Sequence, residues 1–134
     1  PPGTGDVQLT LAHELPGMRA VVVTTPQVVA TDDVRRALRM LLELDVPVAG
    51  VVENMSGFTA PDGSVHRIFG EGGGRMLAAD YGVPFLGELP IDPALRALGD
   101  DGRPVAAVGD HQQQRRFADL AARILERLAA GRIR

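Results

Sequence analysis

The sequence contains no cysteine, no lysine and no tryptophan, and aromatic residues make up 4% of its 134 positions. Without cysteine, this chain supplies no disulfide, no thiolate metal site, no iron–sulfur ligand and no cysteine nucleophile. Without lysine, all 14 of its basic residues are arginine. No stretch can therefore place an ammonium on β- and γ-phosphates, as a GxxxxGK[ST] loop does. No apolar run approaches the roughly 20 residues that span a bilayer, and the first residues have no signal-peptide pattern. The expected setting is cytoplasmic, with no membrane partner. A formal net charge of -3 gives no support for a nucleic-acid partner either.

What is present is a chain able to bury a core, with 45% apolar and 23% charged residues, the size of one domain or part of one. Residues 7–15 read as a short helix ended by Pro16-Gly17. The β-branched run at 18–25 predicts a strand buried on both faces. A helix capped by Thr31 or Asp32 follows, with Val34, Leu38 and Leu41 on one side. Residues 47–54 (PVAGVVEN) read as a second buried strand, giving a βαβ unit with parallel pairing expected. Pro61-Asp62-Gly63 marks a turn inside a small hairpin. Further on, the pattern predicts a helix over 75–81, a third strand over 83–89, and a short helix opened by Pro93. A last helix over 110–130 completes it. Alternating strands and helices mean a layered α/β fold, and three strands are a sparse sheet for one, as in half of a domain.

Several stretches bear on chemistry. In PPGTGD (residues 1–6), Gly3 and Gly5 let backbone amides approach an anion closely and Thr4 adds a hydroxyl. Taken alone, the stretch is equally an ordinary Gly/Pro loop. Asn54 stands at a predicted strand end, the edge where α/β sheets bind ligands, and its amide can both donate to and accept from an adenine edge. A cap or turn role is the plain alternative. Pro90, Ile91 and Asp92 follow the next strand end, and Gln27 follows the first, suited to nucleotide, to a dimer partner or to loop packing. GEGGG at 70–74 has the composition of a phosphate cradle but, lacking lysine, reads as a flexible approach to a helix. Arg115, Arg116, Arg123 and Arg127 on the last helix suit either solvent or an anionic lipid surface. The modest apolar stripe, without tryptophan, favours a helix docked on the sheet.

In order along the chain, PPGTGDVQLTL (1–11), TTPQ (24–27), DVRRAL (33–38), VPVAGVVENMS (46–56), FGEGGG (69–74) and GVPFLGELPIDPALR (82–96) resemble the C-terminal half of Mrp/ApbC-type P-loop ATPases. These belong to the same broad class as MinD and ParA. The resemblance implies the C-terminal part of a doubly wound, mainly parallel α/β sheet, with residues 1–134 forming half of one ATPase domain. The Walker A lysine and Walker B aspartate are then expected upstream. It also implies that Gly3, Thr4, Gly5 and Asp6 form the switch that senses the γ-phosphate. Asn54 would recognise adenine, with Pro90, Ile91 and Asp92 walling base or ribose.

The sequence departs from this family at one place. Mrp-type proteins carry a CPxC pair after ENMS, which bridges an iron–sulfur cluster between two subunits; Ala60 and Gly63 stand at those cysteine positions. No metal site is expected, although Asp62 and His66 are conceivable substitutes. The implied function is ATP binding and hydrolysis, with Mg held by upstream residues, in a homodimeric protein of iron–sulfur cluster assembly that serves client apoproteins. Two alternatives stand beside it: a ParA/MinD-like positioning ATPase, and a nucleotide-binding regulatory scaffold without turnover. For lack of a P-loop lysine, the 134-residue chain alone is expected not to hydrolyse ATP.

Overall fold

The computed structural model describes residues 5–130. The sheet is built around a long central strand, β2 (Val48–Thr59), which pairs in parallel with β1 (Ala20–Thr24) on one side and β4 (Phe85–Ile91) on the other. A two-residue strand, β3 (Val65–His66), folds back antiparallel onto the far end of β2. Helices α1 (Asp6–Glu14), α2 (Val28–Glu43), α3 (Gly73–Asp80), α4 (Pro93–Asp100), α5 (Val105–Val108) and α6 (His111–Ala129) complete the order.

The core follows from the apolar spacing. Leu38 of α2 and Leu77 and Ala78 of α3 close over Val22, Val48 and Val51 of the sheet, with Val34, Leu41, Tyr81 and Phe85 packed around them. Every position of β2 from Val48 to Glu53 is buried, so both faces of this strand are covered. Helices α2 and α3 take one face, and α6 packs on β4 and β2. On the outer side of α2–α3, Arg35 bonds Asp80 at 2.8 Å and Arg39 donates to the Tyr81 hydroxyl at 3.0 Å.

Four expectations need correction. β1 is not buried on both faces: Val22 and Thr24 point inward, whereas Val21 and Val23 remain 38% and 55% exposed, because no described element covers that side. Helix α2 starts a turn before Thr31. Gln27 is its N-cap residue, its carbonyl accepting from the Ala30 and Thr31 amides, and Thr31 is a buried helix residue whose hydroxyl donates to Val28 O. The second strand does not stop at Asn54. It bulges there, with Met55 at φ 58°, and continues as the arm of the hairpin to Thr59. Finally, the third expected strand does not end at residue 89 but runs through Pro90 to Ile91; the short β3 is the returning arm of the expected hairpin, and α5, too short to show periodicity, was not expected.

Candidate functional site

In parallel strands all carboxyl ends lie on one edge, and there the sheet gathers most of the residues singled out from sequence. Gln27 follows β1 and Asn54 lies at the bulge in β2. Asn54 is the register partner of Leu89; Pro90 and Ile91 do not follow β4 as expected but are its last two residues, Ile91 pairing with Phe58, and Asp92 comes directly after. The Asn54 Oδ1 accepts from the Met55 amide at 3.0 Å. That bond fixes the side chain and leaves its amide nitrogen without a partner among the described residues. Gln27 Oε1 accepts from the Thr25 hydroxyl at 2.5 Å, which likewise orients its amide. Gly5 and Asp6 form the N-cap and first residue of α1, where Gln8 Oε1 accepts from the Gly5 amide at 3.1 Å. Gly3 and Thr4 lie outside the described residues.

Two carboxylates organise this edge. Glu53, 1% exposed, caps α3 from within the central strand: its Oε1 accepts from Gly72 N at 3.2 Å and its Oε2 from Gly74 N at 2.6 Å. The helix end approaches closely because it is made of glycine. A Cβ on Gly73 would land on the Pro26 carbonyl oxygen and lie 3.0 Å from Thr31 Cγ2; one on Gly74 would lie 3.0 Å from Glu53 Cβ. Gly72 takes the left-handed conformation (φ 74°) that opens the helix. GEGGG is therefore neither a phosphate cradle nor a flexible lead-in. Its last two glycines form a close-packed joint, and the helix-start amides are already taken by Glu53, which in turn gains its hydrogen-bond partners there.

Asp92 is the second carboxylate. Its Oδ1 accepts from the Ala94 and Leu95 amides at 2.9 and 3.4 Å, capping α4 with Pro93 in the first turn. Its Oδ2 accepts from Gln113 Nε2 at 2.6 Å. Burial works against the charged form of Asp92. The bonds from Gln113, Ala94 and Leu95 and the nearby Arg116 charge outweigh that and hold its carboxyl below the ordinary value. Glu53 and Gln113 escaped the sequence reading. A lone acid inside the buried run VVEN, followed by a glycine-rich helix start, was the available signal for Glu53. For Gln113 it was the Asp-x-x-Gln capping box that opens α6.

The hairpin tip is a different environment. Ala60 N donates to Ser64 O at 2.8 Å and Gly63 N to Ala60 O at 2.9 Å, with Gly63 at φ 84°. Asp62 accepts from the Ser64 hydroxyl at 2.6 Å and amide at 2.9 Å, which hold its carboxyl below the ordinary value. The Ser64 hydroxyl also lies 3.0 Å from His66 Nε2. Ala60, Gly63, Asp62 and His66 thus form a turn closed by its own bonds. Among the described residues no group of three or more histidine or acidic side chains gathers in a way that could hold a metal ion. No described helix is long and apolar enough to cross a membrane.

Comparison with known proteins agrees with this geometry. The family model for NUBPL iron-transfer P-loop NTPases of the ParA group matches residues 1–125. The iron-sulfur cluster carrier protein of Deinococcus radiodurans is 48% identical over 134 residues, covering 99% of this chain and 37% of its own length. That of Mycobacterium tuberculosis is 48% identical over 111 residues, 78% of this chain and 29% of its own. That of Methanocaldococcus jannaschii is 41% identical over 130 residues, 96% and 44% respectively. Among solved structures, a nucleotide-binding protein from Archaeoglobus fulgidus in complex with ADP superposes with a TM-score of 0.65 at 41% identity, over 77% of this chain and 43% of that one. The chain thus spans less than half the length of each of these relatives. On a family model that covers almost all of its residues, the chain belongs to the iron-transfer P-loop NTPases, the Mrp/ApbC-type branch of the ParA class.

Proposed function

We propose that this chain is the base-recognising and phosphate-sensing part of a longer protein that binds and hydrolyses ATP and works in iron–sulfur cluster assembly and transfer. The observation that carries this reading is the convergence of Gln27, Asn54 and Pro90–Asp92 on the carboxyl edge of one parallel sheet. Asn54 offers a donor there toward an adenine ring, and the end of β4 from Pro90 through Ile91 to Asp92 walls base or ribose. Gly3, Thr4, Gly5 and Asp6 act as the switch whose amides follow the γ-phosphate. The P-loop lysine and the residues that hold Mg belong to the remainder of the protein. Catalysis in such a site is mostly positioning and charge stabilisation.

The protein acts in the cytoplasm as a homodimer and passes its cargo to client apoproteins. That cargo, an iron–sulfur cluster, is not held through thiolates of this chain, since Ala60 and Gly63 occupy the hairpin positions where a CPxC pair is expected. The missing thiolates favour one second reading, a positioning ATPase that acts on DNA or membrane without a cluster. Multiple-turnover phosphate release by the full-length protein tests the enzyme assignment: sustained ATP hydrolysis is expected, and nucleotide binding without turnover would reduce it to a regulatory scaffold. Anaerobic reconstitution and nucleotide-dependent co-sedimentation with liposomes or DNA separate the carrier from the positioning role. Transfer of a reconstituted cluster to an apoprotein supports the first, and retention on either surface the second. The 134-residue chain by itself is expected to release no phosphate above background.

A further inference from the structure

Gln113 is 6% exposed and every polar atom of its amide is engaged. Its Oε1 accepts from Asp110 N at 3.0 Å, its backbone N donates to Asp110 Oδ1 at 2.8 Å, and its Nε2 donates to Asp92 Oδ2 at 2.6 Å. One side chain therefore joins two helix caps, that of α6 and that of α4. The junction is tight. The space left between Leu89, Pro90, Asp92, Gln113, Arg116 and Phe117 is about 10 Å3, no more than one water needs. Gly109 closes it from behind, where a Cβ would stand 2.8 Å from Gln113 Oε1. The capping of α4 uses only Asp92 Oδ1, and an isolated cap needs no more. The second oxygen is thus free to serve a bond across to α6.

We propose that Gln113 is a positioning residue: through its buried bond to Asp92 it fixes the carboxyl end of β4 at Pro90–Asp92, and so makes nucleotide-base binding depend on the seating of α6. This rests on the reading of Asn54 and Pro90–Asp92 as the base site. Among the described residues the other ties of α6 are Arg123 donating to Leu86 O at 2.9 Å and a half-buried apolar stripe whose far end, Leu128, is 37% exposed. A helix so held can be released, and by linkage whatever lifts it from the sheet weakens nucleotide binding, while bound nucleotide holds it down.

The polarity of the bond supplies the test, read as ADP and GDP affinity of the full-length protein by calorimetry. Asp92→Asn preserves the α4 cap, since asparagine caps as well as aspartate, but turns an amide donor toward the Gln113 donor. Gln113→Glu sets two carboxylates face to face. Combined, the two substitutions restore one donor opposite one acceptor with the direction reversed. Each single variant is expected to weaken ADP about tenfold, a usual size for such coupling, and the double variant to recover most of that loss. Four proteins with equal ADP affinity, or a double variant no better than the worse single, overturn the proposal. Asn54→Ala separates the two levels of argument. If it leaves ADP affinity unchanged, the base site itself is misread and the positioning role falls with it. If it weakens ADP while Gln113→Glu does not, only the positioning role falls. Should Asp92→Asn fail to fold, hydrogen exchange on the unaltered protein decides. ADP is expected to slow exchange in the first turn of α6, and no protection there overturns the coupling.

Discussion

Two joints lie side by side on the carboxyl edge of the sheet, and each is a carboxylate seated on the N-terminus of a helix. At the β2–α3 joint, Glu53 reaches out of the central strand into a helix start built of glycine, with Glu53, Gly73 and Gly74 buried and Gly72 half-buried. At the β4–α4 joint, Asp92 caps from a loop, stays partly exposed and is held by a third element, α6. The first joint is closed: the Gly72 and Gly74 amides are occupied, and at Gly73 the Pro26 backbone stands where a side chain would grow. The second lies at the partly exposed end of β4, three residues beyond Leu89, the partner of Asn54. The same capping chemistry therefore serves rigidity in one place and an adjustable ligand wall in the other, and the difference is the number of elements that must stay docked.

The comparison can be broken first at Glu53. Glu53→Ala leaves the buried Gly74 amide and the half-buried Gly72 amide without acceptors and is expected to cost about 4 kcal/mol, at 1–3 per orphaned group plus lost packing. Denaturant unfolding measures it, and a loss under 1 kcal/mol would mean that water replaces the carboxylate. Next comes Gly73→Ala, where the new methyl meets the Pro26 backbone rather than a flexible side chain. It is expected to cost about 1–3 kcal/mol, seen as a lower melting temperature. Asp92→Ala is expected to be milder in stability, about 1 kcal/mol for a lost cap. Unlike the first two, it should lower ADP affinity of the full-length protein out of proportion to its effect on folding.

The smallest effect is a pH dependence. The carboxyls of Asp92 and Asp62 both sit below their ordinary value, so the stability they add is complete above about pH 4. It is lost as the pH falls through their lowered folded-state values. Melting curves from pH 5 downward should show this decline, and Asp92→Asn should flatten it more than Asp62→Asn, whose carboxylate bonds only within its own turn.

Much of this edge was legible in the sequence, for physical reasons that also explain what was not. The β-branched runs around Val22 and Val51 and the Leu38 spacing report burial directly, and Pro93 and Gly63 report backbone dihedral demands. Asn54 and Pro90 were expected at strand ends, but β2 runs on to Thr59 and β4 to Ile91, so both lie within strands that the apolar pattern alone ends too early. Glu53 was overlooked because its partners, the amides of Gly72 and Gly74, lie about twenty residues away and carry no side chain to suggest an acceptor. Gln113 stands among three consecutive glutamines, and only the packing of α6 distinguishes it from its neighbours. The strand end was misjudged at Asn54 because a bulge and a terminus show the same local pattern, an amide residue after a hydrophobic run.

The central claim, that this edge reads the base of an adenine nucleotide, is tested most directly by titrating the full-length protein and its Asn54→Ala variant with ADP and GDP. The account predicts that the unaltered protein prefers ADP. It also predicts that the variant binds ADP about tenfold more weakly, near the 1–1.5 kcal/mol of a good hydrogen bond, with little change for GDP. Equal affinity of the two proteins for ADP would contradict it.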